Sequence, residues 1–124
     1  MEEISTDGAP ASIGPYSQGI REGDRIYVSG QGGIDPDSGE VVSEDVGEQT
    51  ARTLENVGAI LEAGGSSLDN VLKTNVYVSD MRYYEAVNEV YGEYMTEPYP
   101  ARAAVEVVKL PVDIKVEIEA VATV

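Results

Sequence analysis

The sequence predicts an α+β fold, a mixed six-stranded sheet with two helices packed on one of its faces. Three observations carry this. Residues 43–63 and 81–95 place apolar side chains at i, i+3, i+4 spacing, the mark of amphipathic helices. Residues 20–31, 71–78, 102–107 and 114–122 alternate or are β-branched, as strands do. The elements follow as β-β, one further short strand, then α-β-α-β-β, with no linker, low-complexity segment or break in composition. Residues 1–124 therefore read as a single domain.

Taken in order, residues 1–19 read as irregular, punctuated by Asp7-Gly8-Ala9-Pro10 and Gly14-Pro15. Tyr16 lies just after a proline in a stretch without periodicity, so it either anchors the arm or serves a site. Ile20 to Gln31 reads as a hairpin turning at Glu22-Gly23-Asp24. Gly30-Gln31-Gly32-Gly33 fails the dinucleotide and P-loop spacings, and no lysine follows. Its glycines are expected to permit a bulge or the close approach of other backbone. Asp35-Pro36-Asp37-Ser38-Gly39 begins like a calcium loop, but Val46 stands at the twelfth position where glutamate is required; a type I turn fits.

Ser43 is expected to cap the first helix, with Glu44 and Asp45 at its positive end. Val46, Thr50, Thr53, Leu54, Val57, Ile60 and Leu61 form its inner side, and Gly64-Gly65 ends it. A β-branched strand, Val71 to Val78, follows. Asp80 is expected to cap the second helix, Met81 to Met95, whose inner face is Tyr84, Val87, Asn88, Tyr91 and Met95. Asn88 is the polar member of that stripe, capping a loop carbonyl or facing a site. Residues 41–80 and 84–123 each read as helix then strand, without a residue-level repeat.

The closing stretch reads as two strands joined at Leu110-Pro111-Val112-Asp113. Period 2 puts Arg102, Ala104 and Glu106 on one face of the first, and Ala103, Val105 and Val107 on the other. In the second, Ile114, Val116, Ile118, Ala120 and Ala122 oppose Lys115, Glu117 and Glu119. Paired as a hairpin, these strands are expected to show an arginine, carboxylates and small Ala104 on one face. With helices on the other side, that uncovered face would hold Arg102, Lys115, Glu117, Glu119, Tyr27, Ser29 and Gln31. Such a mixture suits a subunit interface.

The chain has no cysteine and no histidine, which removes disulfides, thiolate chemistry and the commonest general base. Acid–base work falls to carboxylates, lysine, tyrosine or bound water. Its formal net charge is −15, with 23 acidic residues against 8 lysines and arginines. That surface repels phosphate backbones, so nucleic acid is not the expected partner. The acidic excess is spread along a lysine-poor chain, which points to a salt-rich cytoplasm, a halophilic setting. No apolar run is long enough for a membrane span and the N-terminus lacks the pattern of a signal peptide, so the expected location is cytoplasmic.

Several blocks together resemble the RidA (YjgF-like) family of reactive-intermediate deaminases. They are Ala9 to Gln18, Val28-Ser29-Gly30-Gln31, Gly39-Glu40, Leu54-Glu55-Asn56-Val57, Val71-Leu72-Lys73-Thr74, Val87 to Tyr91, Pro100-Ala101-Arg102 and Glu117-Ile118-Glu119. The resemblance spans essentially the whole chain. It implies a chorismate-mutase-like fold, a homotrimer with sites between subunits, and hydrolysis of 2-imino acids to 2-keto acids and ammonia without metal or organic cofactor. It also implies roles. Arg102 would pair with the substrate carboxylate and Glu117 would hold and activate water. Tyr16 would line the pocket, Ser29 and the Gly30 backbone would contact the ligand, and Asn88 would support the wall. Deaminase members often carry cysteine two residues after the arginine; here Ala104 leaves only backbone at that point.

The chemistry of the residues agrees with that reading. An arginine fork fixes a carboxylate, and a glutamate in a cleft exchanges protons, worth about 10²–10⁴-fold. Glu119 on the same strand face, and Glu106 across the expected hairpin, would raise the pKa of one carboxyl among them, without deciding that it is Glu117's. A structural ion pair between Arg102 and Glu117 is the other reading of the same two residues. At the level of function, the alternative is a non-catalytic module that binds small 2-keto acids.

Overall fold

A computed structural model describes residues 1–124. The strands are β1 (Glu2–Ile4), β2 (Gly19–Glu22), β3 (Arg25–Gly32), β4 (Val71–Val78), β5 (Ala101–Glu106) and β6 (Val116–Thr123), and the helices are α1 (Val46–Ala63) and α2 (Tyr84–Tyr94). They form one six-stranded sheet in the order β1-β2-β3-β6-β4-β5. Only β4 and β5 run parallel. The mixed sheet with two helices on one face matches the expected fold class.

The alternation of β6 explains its central place. Val116, Ile118, Ala120 and Ala122 are all buried under the helices. Ala120 and Ala122 join Ile4, Ile26, Val28, Val57, Ile60, Leu61 and Val71 in a core beneath α1. Val116 and Ile118 join Leu54, Val76, Val78, Val87, Tyr91 and Met95 in a second core beneath α2. Each fully buried aliphatic of this kind contributes about 1.5–3 kcal/mol relative to exposure. The helix faces expected from periodicity are the buried ones, with Leu54, Val57, Ile60 and Leu61 wholly so.

Local boundaries differ from expectation at several points. Asp45, not Ser43, caps α1 by accepting from the Glu48 amide, and Ser43 instead accepts from the Asp45 amide. Asp80 caps a single 3₁₀ turn, Met81–Tyr83, before α2 begins at Tyr84. The sixth strand is not the short one expected before α1, where Ile34 and Val41 make only an isolated bridge. It comes instead from Glu2–Ile4, in the arm read as irregular. That arm is tied by Gln18, whose buried amide donates to the carbonyls of Thr6, Ala9 and Pro10 and accepts from the Thr6 amide.

The larger correction concerns the closing strands. β5 and β6 do not form a hairpin. β5 lies beside β4 as the return strand of a β4–α2–β5 crossover, with Arg102 opposite Thr74 and Ala104 opposite Val76. Residues 107–115 then carry the chain back past β4 to β6, anchored by buried Leu110 and Ile114. Val112 takes a positive φ of 51° in this connection. β6 enters between β3 and β4, with Glu117 opposite Tyr77 and Glu119 opposite Asn75.

This topology splits the face that the hairpin would have made. Residues opposite one another in a sheet project to the same side. Arg102 thus shares the helix side with Thr74, which is buried and bonded to Tyr91 of α2. Glu117 and Glu119 project to the open side with Tyr77 and Asn75. Gln31 also leaves the open face, being buried opposite Ile118. Lys115 sits before β6, its ammonium reaching the Glu44 carbonyl and the Tyr83 ring.

Candidate functional site: two half-sites on opposite faces

The open side carries the first group. The pairing of β3 with β6 shifts between Val28 and Gln31, so Ser29 and Gly30 form a bulge where glycine was expected to allow one. The Glu117 carboxyl lies directly over Gly30. A Cβ at residue 30 would come 2.8 Å from the carboxyl carbon, so only glycine leaves that carboxyl in place. Ser29 Oγ donates to the Ser17 carbonyl at 2.6 Å, and the Ser29 amide to the Gln18 carbonyl at 2.9 Å. These bonds hold the Tyr16–Gln18 segment along the bulge. Tyr16 is 51% exposed, and its hydroxyl accepts from the Ile13 amide at 3.3 Å.

Burial pushes the Glu117 carboxyl above the ordinary glutamate range, and the charge of Glu119 pushes it further. The two carboxylates differ in their surroundings. Glu119 accepts from Asn75 Nδ2 at 3.0 Å and from the Tyr77 hydroxyl, which holds that phenol above its usual range. Glu117 has no such donors. Glu106, expected beside Glu117, is level with Val116 across β4 and projects to the helix side with Val78, where it accepts from the Met81 amide at 2.7 Å. Its separation from Glu117 follows from the parallel pairing of β5 with β4.

The helix side carries the second group. Arg102 projects from β5 beneath α2, with its guanidinium carbon 4.8 Å from the centre of the Tyr91 ring and 5.5 Å from that of Tyr84. Its Nη2 donates to the Tyr84 hydroxyl at 2.9 Å. No carboxylate pairs with it; Arg25, Arg52 and Arg82 each find one, and Arg21, which also lacks one, donates to the Gly23 and Gly64 carbonyls. A guanidinium whose one hydrogen-bond partner is a tyrosine hydroxyl has donors left that can take an anion. Asn88, one turn beyond Tyr84, has a buried Oδ1 with no hydrogen-bond partner. Ala104 lies two residues along β5, partly buried against the second core.

The structure therefore gathers the sequence-selected residues in two sets. Tyr16, Ser29, Gly30 and Glu117 lie around the β3 bulge, while Asn88, Arg102 and Ala104 lie at the β5 edge under α2. Within one chain Arg102 and Glu117 are on opposite faces with β4 between their strands, so they form no ion pair. A cavity of about 540 Å³ between residues 41–44, Tyr83 and 108–115 contains none of these residues. No three carboxylates converge to hold a metal ion. Tyr84 was missed as a site residue; its signal was the i, i+4 spacing to Asn88 beneath a lone arginine.

Such a molecule is a chorismate-mutase-like α+β protein with two separate polar clusters, one on each face of its sheet. A family model described as endoribonuclease L-PSP matches residues 6–124. A RutC family protein of Pyrococcus horikoshii is 52% identical over 98% of this chain and 96% of its own length. A human protein named 2-iminobutanoate/2-iminopropanoate deaminase is 48% identical over 96% of this chain and 87% of its own. Among solved structures, RidA from a Psychrobacter species superposes with a TM-score of 0.96 at 44% identity, covering all of both chains. E. coli TdcF with bound serine gives 0.95 at 40% identity, covering 100% of this chain and 99% of that one. The chain belongs to the YjgF/RidA family, whose members include named deaminases.

Proposed function

We propose that this protein hydrolyses small 2-imino acids to 2-keto acids and ammonia, in a site completed between two copies of the chain. The observation that carries the reading is Arg102, an arginine without a carboxylate partner, stacked between two tyrosine rings on the edge strand. Its fork takes the substrate carboxylate and sets the C=N bond in place. The Asn88 Oδ1 offers an acceptor to the imine N–H, and the Ala104 backbone lines the same wall.

Glu117 of a neighbouring copy holds the attacking water over Gly30, with Ser29 and Tyr16 closing the pocket. The water oxygen adds to C2 of the protonated imine while Glu117 takes one water proton, giving a neutral amino alcohol. Glu117 then returns that proton to nitrogen, the C–N bond breaks with its electron pair leaving on ammonia, and the Glu117 carboxylate takes the hydroxyl proton as the keto C=O forms. A carboxyl raised toward working pH both accepts and donates efficiently. The two half-sites lie on opposite faces, so in this reading their union is a heterologous contact that closes as a ring, and the family resemblance implies a ring of three. RNA fits poorly as a substrate, since a net charge of −15 repels phosphate.

The test couples this protein to a threonine dehydratase and follows 2-keto acid release across a range of salt. Acceleration by wild type but not by Arg102→Ala supports the reading. Arg102-dependent binding of a 2-keto acid with no acceleration at any salt would make the protein a small-carboxylate binding module instead.

A further inference from the structure

We propose that Tyr84 is a substrate-binding residue whose hydroxyl donates its proton to the substrate carboxylate beside Arg102. The inference rests on the reading that Arg102 receives a carboxylate, and it adds a second donor to that cradle.

A tyrosine hydroxyl offers one proton and two acceptor positions. At Tyr84 the acceptor side is engaged. Arg102 Nη2 donates to the oxygen at 2.9 Å. The Asn88 amide, one turn along α2, and the Arg102 charge together hold this phenol below the usual tyrosine range. The proton, by contrast, is given to no protein acceptor. Asn88 Oδ1, one turn along the same helix, is buried and unpartnered and so does not take it. A partly buried O–H that accepts from a guanidinium and keeps an unused proton lacks only an acceptor. An anion seated on the free edge of Arg102 supplies one, because the hydroxyl is already bonded to that guanidinium.

Tyr91 provides the contrast that makes this a statement about the hydroxyl rather than the ring. Its ring is nearer to Arg102, yet its hydroxyl pairs with Thr74 at 2.7 Å inside the core. The two tyrosines thus share the stacking and differ in where their protons go. Tyr84 would also discriminate among ligands, favouring a carboxylate over an uncharged amide at the same position.

The experiment measures binding of 2-oxobutanoate and 2-oxobutanamide by calorimetry to wild type, Tyr84→Phe, Tyr91→Phe and Arg102→Gln, with melting temperatures alongside. Phenylalanine keeps the stacked ring and the helix. Loss of a hydrogen bond to a charged group is expected to raise the Tyr84→Phe dissociation constant for the carboxylate about tenfold. Amide binding and the Tyr91→Phe carboxylate constant should stay within about twofold. In the coupled assay the Tyr84→Phe loss should appear in KM more than in kcat.

A carboxylate constant for Tyr84→Phe within about twofold of wild type, or wild-type binding that Arg102→Gln leaves unchanged, would overturn the proposal. Normal hydrolysis by wild type together with unchanged Tyr84→Phe binding sinks this inference and spares the hydrolase reading. Tyr84-dependent binding without hydrolysis does the reverse.

Discussion

Replacing Glu117 by glutamine should stabilise the protein at neutral pH while abolishing its proposed chemistry. Glu117 is partly buried over Gly30, close to the Glu119 charge, and both effects penalise its ionised form. Its folded-state pKa is therefore above the ordinary value of 4.5, and the folded protein binds this proton more tightly than the unfolded chain. The associated stability is fully present below 4.5 and is lost as pH rises through the raised folded value. Glutamine keeps the shape and never ionises. Each tenfold difference in proton affinity between folded and unfolded chains corresponds to about 1.4 kcal/mol, which sets the scale of the gain at pH 7.5, and solvent screening at a partly exposed carboxyl reduces it. The assay is urea unfolding of both proteins from pH 4 to 8 at fixed protein and salt concentration, where the other carboxylates cancel in the difference. Glu117→Gln should match wild type at the acid end and exceed it at pH 7.5. A difference that does not change with pH, or a less stable variant at pH 7.5, would refute the reasoning.

Three other outcomes follow from the same geometry. Gly30→Ala should cut deaminase activity at least about tenfold while costing under about 1 kcal/mol in urea unfolding, because the added methyl displaces only the Glu117 carboxyl at the end of its side chain. Equal loss of both would show that Gly30 serves the fold. Asn56→Ala should cost about 2–3 kcal/mol, since the wholly buried amide donates to the Gly32 and Ile34 carbonyls and accepts from Arg52, one turn earlier on α1. Thermal unfolding checks it, and a loss under about 0.5 kcal/mol contradicts it. Raising salt from about 0.05 to 1 M should raise the melting temperature, because screening relieves the self-repulsion of a −15 chain. A falling melting temperature would contradict the acidic-surface reading.

Periodicity made much of this fold legible. The apolar stripes of α1 and α2, the β2–β3 hairpin and the glycine bulge were all visible as residue patterns. Asp35 forms the expected turn, accepting from the Asp37 and Ser38 amides. Pairing partners were harder to read. Val105 and Ile118 alternate equally well in a hairpin or on separate neighbours of β4, and only the α2 crossover decides between them. That one choice put Arg102 and Glu117 on the same face when they occupy opposite ones. β1 was missed because Glu2–Ile4 is too short to show a period, its place being set by Gln18 and the β2 edge. The identities of the site residues came from motif blocks, whereas Tyr84 became visible only once Arg102 was placed beneath α2.

The central claim is that Arg102 and Glu117 of different copies make one site, and subunit complementation tests it most directly. Arg102→Ala and Glu117→Gln proteins are each expected to be inactive. Mixed, unfolded and refolded together in equal amounts, they should recover about a quarter of wild-type activity, since that fraction of random interfaces joins an intact Arg102 half to an intact Glu117 half. A mixture as inactive as its components would contradict the account.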